Sequence, residues 1–404
     1  MAVAQTQPGI ESAATQRPLE GVRVLDLTQF LAGPFCTMIL GDMGADVVKI
    51  EPPGGEVQRN SMRIGGDGVD PPSFLALNRN KRSMVVDLRS DEGRELFYEL
   101  VAHSDVLVEN FKPGTTTKLG IDYETLSARR PELIYASITG FGRARGATLP
   151  GYDFLIQAVG GLMSITGQPD GEPTKVGVAL VDVLAGAHLT SGILAALVAR
   201  GRTGRGQRVD VTLLGTLLAA LANQASAFLN SGVTPGRMGN RHPSITPYET
   251  LATSDRPIAV AVGSEAQFTR LAAAVLGPAG AADPRFATNA DRVRNRSALI
   301  AALEARLTTR PAAHWLRQLA AAGIACGPVN TVPEAFALAA SLDADPVVRL
   351  PQGTATESDG FAASVVWPVN LSETPATYRL PPPRLGEHTD EVLSWLGDGP
   401  ATAG

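Results

Sequence analysis

Over the first half of the chain, short apolar runs alternate with segments of helical spacing. Residues 22–27 (VRVLDL), 46–50 (DVVKI), 84–88, 105–108 (DVLV) and 133–138 (LIYASI) read as strands. Residues 34–43 read as a helix, and 92–103 puts Leu96, Phe97, Leu100 and Val101 on one helical face. Strands alternating with helices predict an α/β fold with a parallel, doubly wound, Rossmann-like sheet. Such sheets bind ligands beyond the carboxyl ends of their strands, where residues 28–34, 51–55 and 110–114 fall.

From 183 to 229 the pattern predicts one or two long apolar helices, broken by the turn 201–206 (GRTGRG). The most apolar window, 211–229, contains Thr212, Asn223, Gln224 and Ser226, which suit a buried helix better than a membrane span. The texture then changes to a glycine- and proline-rich loop at 235–247 and a strand at 258–262 (IAVAV). Amphipathic helices follow near 265–276, 296–307 and 312–322. A proline-rich stretch at 368–383 leads to a final helix at 389–396. The predicted organisation is a loose tail at 1–17, a large α/β domain at 18–230, a smaller α+β domain at 231–330, and a segment at 331–404 returning to the large domain.

With 404 residues there is chain enough for two such domains and no need of a disulfide or metal to hold them. The two cysteines, Cys36 and Cys326, sit in apolar surroundings and read as inert core thiols of a reducing compartment; no Cys/His spacing suits zinc. A net charge of −5 argues against nucleic acid as a partner. Residues 1–16 lack a basic start followed by an apolar run, so a cytoplasmic protein free of membrane attachment is expected. Nor does any predicted strand lead into Gly-x-Gly-x-x-Gly. Gly140, Gly142 and Gly146 come nearest but are spaced one residue too long, which argues against a nicotinamide enzyme.

Asp182 is the oddest carboxylate in the chain. It lies in the apolar, glycine-lined run 176–186 (VGVALVDVLAG), where poor solvation would perturb its pKa and sharpen it as a nucleophile or base. The competing reading is a helix N-cap, since helical residues follow and Asp is a favoured cap.

A set of ordered motifs resembles CoA-transferase family III, the family of formyl-CoA transferase and carnitine CoA-transferase. They are 18–26 (PLEGVRVLD), 31–34 (LAGP), 44–51 (GADVVKIE), 80–83 (NKRS), 108–114 (VENFKPG), 151–154 (GYDF), 203–207 (TGRGQ), 327–329 (GPV) and 385–389 (LGEHT). Each is weak alone; in order along nearly the whole chain they are specific. The resemblance implies that Asp182 is a catalytic nucleophile forming an anhydride and then a CoA thioester. It implies coenzyme A or acyl-CoA as substrate, with no permanently bound cofactor and no metal. It also implies an interlocked homodimer.

By the same resemblance, Leu31 and Ala32 sit near the thioester, and Val86 and Arg89 near the adenosine end of CoA. Asn110 and Phe111 flank the nucleotide, Lys118 supplies a cation, and Tyr152 joins the cofactor-binding set. The alternatives stay open: Arg89 and Lys118 as solvated charges, Asn110 and Phe111 as a turn with a packing aromatic. The loop 239–248 (GNRHPSITPY) is similar to members that pass CoA from succinyl-CoA to dicarboxylates. Arg237, Gly239, Arg241 and His242 are then candidates to anchor a second carboxylate, or else they shape the loop. Formyl-CoA transferases carry glutamine where this chain has Leu31, and a glycine run missing from residues 236–244, so oxalate and formate are not expected as substrates.

The rival reading within the same family is an α-methylacyl-CoA racemase or other acyl-CoA isomerase. Racemisation needs a second base on the opposite face of the α-carbon. The family's histidine falls thirty positions before the aspartate, where this chain has Tyr152, a poor proton partner at neutral pH. His188 could stand in for it, or could be an ordinary packed or surface histidine.

Overall fold

The computed structural model describes residues 17–60, 71–351 and 361–396; most of the tail predicted at 1–17 lies outside them. The described chain forms two units. The first takes in residues up to Gly160, Gly177–Ala222 and those from Val347 on; the second takes in Gly161–Val176 and Asn223–Pro346. The second unit takes up the chain at Asn223 rather than 231, and two further boundaries differ from the sequence reading. A glycine- and proline-rich stretch, 161–176, leaves the large unit, and the chain returns at 347 rather than 331.

The first unit is built on strands β1 (Arg23–Asp26), β2 (Asp46–Glu51), β3 (Lys81–Val85), β4 (Val106–Glu109), β5 (Ile134–Thr139) and β6 (Arg208–Thr212). Every pairing is parallel, in the order β3-β2-β1-β4-β5-β6. That order reverses direction between β1 and β4, so the strand ends diverge there and leave a crevice at their carboxyl edge. Alternate residues face opposite sides. Leu25, Val48, Met84, Leu107 and Tyr135 pack with Phe97, Leu100 and Trp395 on one face. Val24, Val47, Val106 and Ala136 are buried on the other, the face covered by helices Ala32–Asp42 and Leu180–Thr203.

Two predicted strands are corrected. The third lies at 81–85 rather than 84–88, because Lys81, Arg82 and Ser83 are buried in it despite their polarity. β6 was read as part of a broken helix; Arg208, Asp210 and Thr212 give it too polar a texture to stand out. Beyond it come two short helices, Leu213–Ala220 and Ala222–Ser231. Leu180–Thr203 is long and apolar enough to cross a membrane by length and composition. Its buried residues, Val181, Ala185, Leu189, Ile193 and Ala196, recur at helical spacing, the stripe of a helix lying on a sheet.

The free edge of the sheet at β3 is covered by the chain's last segment. Asn80 accepts the backbone N–H groups of Arg379 and Leu380, Arg79 pairs with Asp42 and reaches Val365 O, and Arg59 reaches Pro383 O.

The second unit carries an antiparallel sheet of β7 (Tyr248–Leu251), β8 (Ile258–Ala261) and β9 (Ala325–Pro328). Helices Glu265–Val275, Arg296–Leu307 and Ala312–Ala321 pack on it through Val260, Phe268, Leu271, Leu303 and Trp315.

Candidate active site

Asp182 is the third residue of helix Leu180–Thr203, whose N-cap is Ala179 with no side-chain cap of its own. The cap reading of Asp182 therefore fails. Asp153, at the start of helix Asp153–Val159, supplies the cap from elsewhere in the chain: its Oδ1 accepts the N–H of Val181 at 2.8 Å and of Asp182 at 3.4 Å. Gln157 donates to the other Asp153 oxygen at 2.7 Å and fixes its orientation. Asp182 is half-buried, and among the described residues no hydrogen bond or ion pair engages its carboxylate. Burial, then the neighbouring Asp153 charge, push its pKa up to about 7. An unpaired carboxylate, reachable from solvent and poised near neutrality, is free to attack.

The loop between β1 and helix Ala32–Asp42 faces this helix. A Cβ on Gly186 would lie 2.5 Å from the Ala32 carbonyl oxygen and 3.1 Å from Phe35, so glycine permits the close approach. Phe30 in the loop has φ 63°, unusual for a bulky residue. Its exposed ring meets Tyr152 edge to face, centroids 6.5 Å apart. Tyr152 adjoins Asp153, and Leu31 is half-buried beside a buried Ala32. Leu31, Ala32, Tyr152 and Asp182 are thus linked through neighbouring contacts.

Buried charges hold the loop from below. Asp26 Oδ1 accepts from Thr28 N at 2.8 Å and Thr28 Oγ1 at 2.5 Å. Lys49 Nζ donates to Thr28 O at 2.9 Å and pairs with Glu56 at 3.0 Å. Lys81 Nζ reaches Pro34 O, Asn78 Oδ1 and Asp26 Oδ2, the last at 3.0 Å. Burial alone would raise the Asp26 pKa; Lys81, Lys49 and the two threonine hydroxyls bring it well below the usual carboxylate range. Asp26, Lys49 and Lys81 lie in motifs that carry the family resemblance, but none was given a role from the sequence, although a lysine inside an apolar strand (VVKIE) was a visible signal.

The predicted CoA contacts fall into three groups. Val86 is buried in the core just past β3, its N–H donating to Glu51 O. Arg89 and Lys118 are exposed, and no hydrogen bond or ion pair among the described residues holds either side chain. Asn110 and Phe111 follow β4. Phe111 packs on the core beneath the sheet, and its N–H donates to Glu109 Oε2 at 2.8 Å. Glu109 is buried, which pushes its pKa up to about 7, and Arg143 lies 3.0 Å from its other oxygen.

The candidate substrate anchors lie in the second unit. Arg237 donates to Gln168 O, Arg241 donates to Met238 O at 3.0 Å, and Gly239 bonds Gly167 O with φ 63°. The His242 Nδ1 accepts from Ser244 N at 3.2 Å. These bonds give Arg237 and Arg241 loop-shaping work. A hollow of about 460 Å³ opens on the sheet of this unit, lined in part by Tyr248, Glu249 and Cys326. Partial burial raises the Cys326 thiol above its ordinary value.

For the isomerase reading, no histidine among the described residues stands beside Asp182; the carboxylate next to it, Asp153, is taken up by the Val181 N–H and the Gln157 amide. His188 is exposed six residues further along the same helix, turned about 120° away at 3.6 residues per turn.

A dinucleotide-type sheet order without its glycine fingerprint argues against a dehydrogenase, and a half-buried carboxylate with no partner among the described residues suits nucleophilic acyl transfer. The chain belongs to CoA-transferase family III, whose family model matches residues 19–389. It is 40% identical over 390 residues to the succinate–glutarate CoA-transferase of Agrobacterium fabrum, covering 94% of this chain and 96% of that one. It is 42% identical over 327 residues to the acetyl-CoA:oxalate CoA-transferase of Acetobacter aceti, covering 80% and 83%. A solved CAIB/BAIF family protein from Brucella suis superimposes with a TM-score of 0.85 at 42% identity, covering 94% of this chain and all of that one.

Proposed function

We propose that this CoA-transferase takes CoA from succinyl-CoA and gives it to a dicarboxylic acid, with Asp182 as the covalent nucleophile. An Asp182 oxygen attacks the thioester carbonyl, the C–S bond breaks, and CoA leaves as thiolate from a mixed anhydride. The thiolate then attacks the aspartyl carbonyl, forming an aspartyl-CoA thioester and expelling succinate. The acceptor carboxylate attacks that thioester, giving a second anhydride and free thiolate. Attack of the thiolate on the acceptor's acyl carbon yields the new acyl-CoA and restores Asp182. Bond energy passes from thioester to anhydride and back, so no nucleotide triphosphate is consumed. Either intermediate hydrolyses if water enters, which gives close packing around Asp182 a chemical purpose.

The observation that carries this reading is the Asp182 carboxylate itself: unpaired, near-neutral, and held at the crevice by Asp153. The donor and acceptor classes rest on the names of relatives such as the glutarate enzyme, and on His242 as a polar group in the loop of the second unit. Leu31 argues against oxalate, but the similar enzyme from Acetobacter aceti carries oxalate in its name, so oxalate belongs among the acceptors to be assayed. Val86 by its backbone, and Arg89 and Lys118 by charge, serve the nucleotide end of CoA. The functional form is an interlocked homodimer, whose partner surface covers apolar side chains that each unit leaves exposed.

The test is a rate comparison with succinyl-CoA as donor and glutarate, oxalate and acetate as acceptors. Glutarate is expected to turn over fastest, and Asp182→Ala to lose at least ~10³-fold in rate while staying folded. An Asp182→Ala protein keeping a tenth of the activity would remove the nucleophile assignment.

A further inference from the structure

Asn110 stands at the point where β1 and β4 part. The last backbone rung between them runs from Leu27 N–H to Val108 O at 2.9 Å. A parallel ladder would continue with Asn110 N–H to Leu27 O and then Gln29 N–H to the carbonyl of residue 110. The last of these is made instead by the side chain of Asn110. Its Oδ1 accepts from Gln29 N at 2.9 Å, and its Nδ2 donates to Gln29 O at 2.7 Å. Both ends of the amide bind one residue of the β1 loop, and the backbone just after Asn110 is fixed by the bond from Phe111 N–H to Glu109.

We propose that Asn110 is a positioning residue that clamps the loop carrying Phe30, Leu31 and Ala32 against the Asp182 helix, and that it does not read the CoA nucleotide. Phe30, next to the clamped residue, has its backbone at φ 63°, a strained conformation for a bulky side chain that persists only where its surroundings impose it. Asp26 and Lys49 hold Thr28 on one side, Asn110 holds Gln29, and Gly186 gives Ala32 room against the helix. Releasing Gln29 lets Phe30 relax to negative φ and swing away from Tyr152, moving Leu31 and Ala32 with it. A misplacement of about 1 Å in reacting groups costs on the order of 10²-fold in rate. The inference rests on the reading that Asp182 attacks a thioester seated on this loop.

Two quantities separate positioning from nucleotide contact in Asn110→Ala. One is the dissociation constant of CoA by calorimetry; the other is the rate of Asp182 adduct formation at saturating succinyl-CoA. Positioning predicts CoA affinity within threefold of wild type and a saturating rate lowered 10- to 100-fold. Asn110→Asp, similar in shape but unable to donate to Gln29 O, gives the same pattern if the alanine variant is poorly folded. Gln29→Ala keeps the main-chain groups that Asn110 holds and is expected to retain the wild-type rate. A tenfold or greater loss of CoA affinity, or a saturating rate within twofold of wild type whatever the melting temperature, overturns the proposal. Failure of the underlying reading shows separately: Asp182→Ala would then still turn over, whatever Asn110 does.

Discussion

A carboxylate in the first turn of a helix ordinarily gains from the positive end of the helix dipole. At Asp182, burial and the Asp153 charge outweigh that and leave the pKa at about 7. Because the attacking form is the carboxylate, the saturating rate is expected to climb with pH through a midpoint near 7 and then level off. At pH 6 it should be about a tenth of the plateau. Asp153→Asn keeps an oxygen for the Val181 N–H but removes the neighbouring charge, so it should move the midpoint to lower pH. A pH–rate profile that does not shift would assign the raised pKa to burial alone. The sign for stability is the reverse of the usual carboxylate case. With a folded pKa above the unfolded value of about 3.9, the folded state holds the proton longer, so this group's contribution falls as pH rises from about 4 to 7. Asp182 drew attention in the sequence because a charge interrupts an apolar run. Asp153 did not, since a cap supplied from about thirty residues away leaves no local pattern.

At the scale of elements, the contact between helix Leu180–Thr203 and the start of helix Ala32–Asp42 sets where Asp182 stands. Gly186→Ala should destabilise the protein by about 1–3 kcal/mol, because its Cβ meets the Ala32 carbonyl oxygen rather than a yielding side chain. Gly201→Ala, in the same helix with open space around it, should be neutral or stabilising by up to ~1 kcal/mol. Urea unfolding of both variants checks the pair; equal effects would mean that the helix approach is not tight. Most of the sheet was legible because β1, β2, β4 and β5 are apolar runs flanked by polar turns. β6 was missed because its partly exposed Arg208, Asp210 and Thr212 hide the strand pattern, and β3 was displaced by three residues because its charges are buried. Lys81 and Arg82 are buried by pairing with Asp26 and Asp46, and the partners that make such burial tolerable are distant in sequence.

At the scale of the molecule, each unit leaves apolar side chains in water. In the second unit, helix Val332–Ser341 exposes Val332 at 72% and Leu338 at 49%, and Leu342 follows at 68%. The helix pair 213–231 exposes Leu218, Phe228 and Leu229. Faces of this kind are rare on free monomers. Light scattering at micromolar concentration is expected to give twice the chain mass; a fully active monomer would contradict the dimer. The sequence carried the two-part organisation through its change of texture near 231. The assignment of 161–176 to the second unit was hidden, because a glycine- and proline-rich stretch has no periodicity to show what it packs against.

The most direct test of the account is covalent. The protein is incubated with succinyl-CoA without acceptor, quenched, treated with hydroxylamine, and mapped by peptide mass spectrometry. The account predicts a CoA adduct or a hydroxamate on Asp182 and release of about one succinate per adduct. Transfer to glutarate with no label on Asp182, or with the label on another residue, would contradict it.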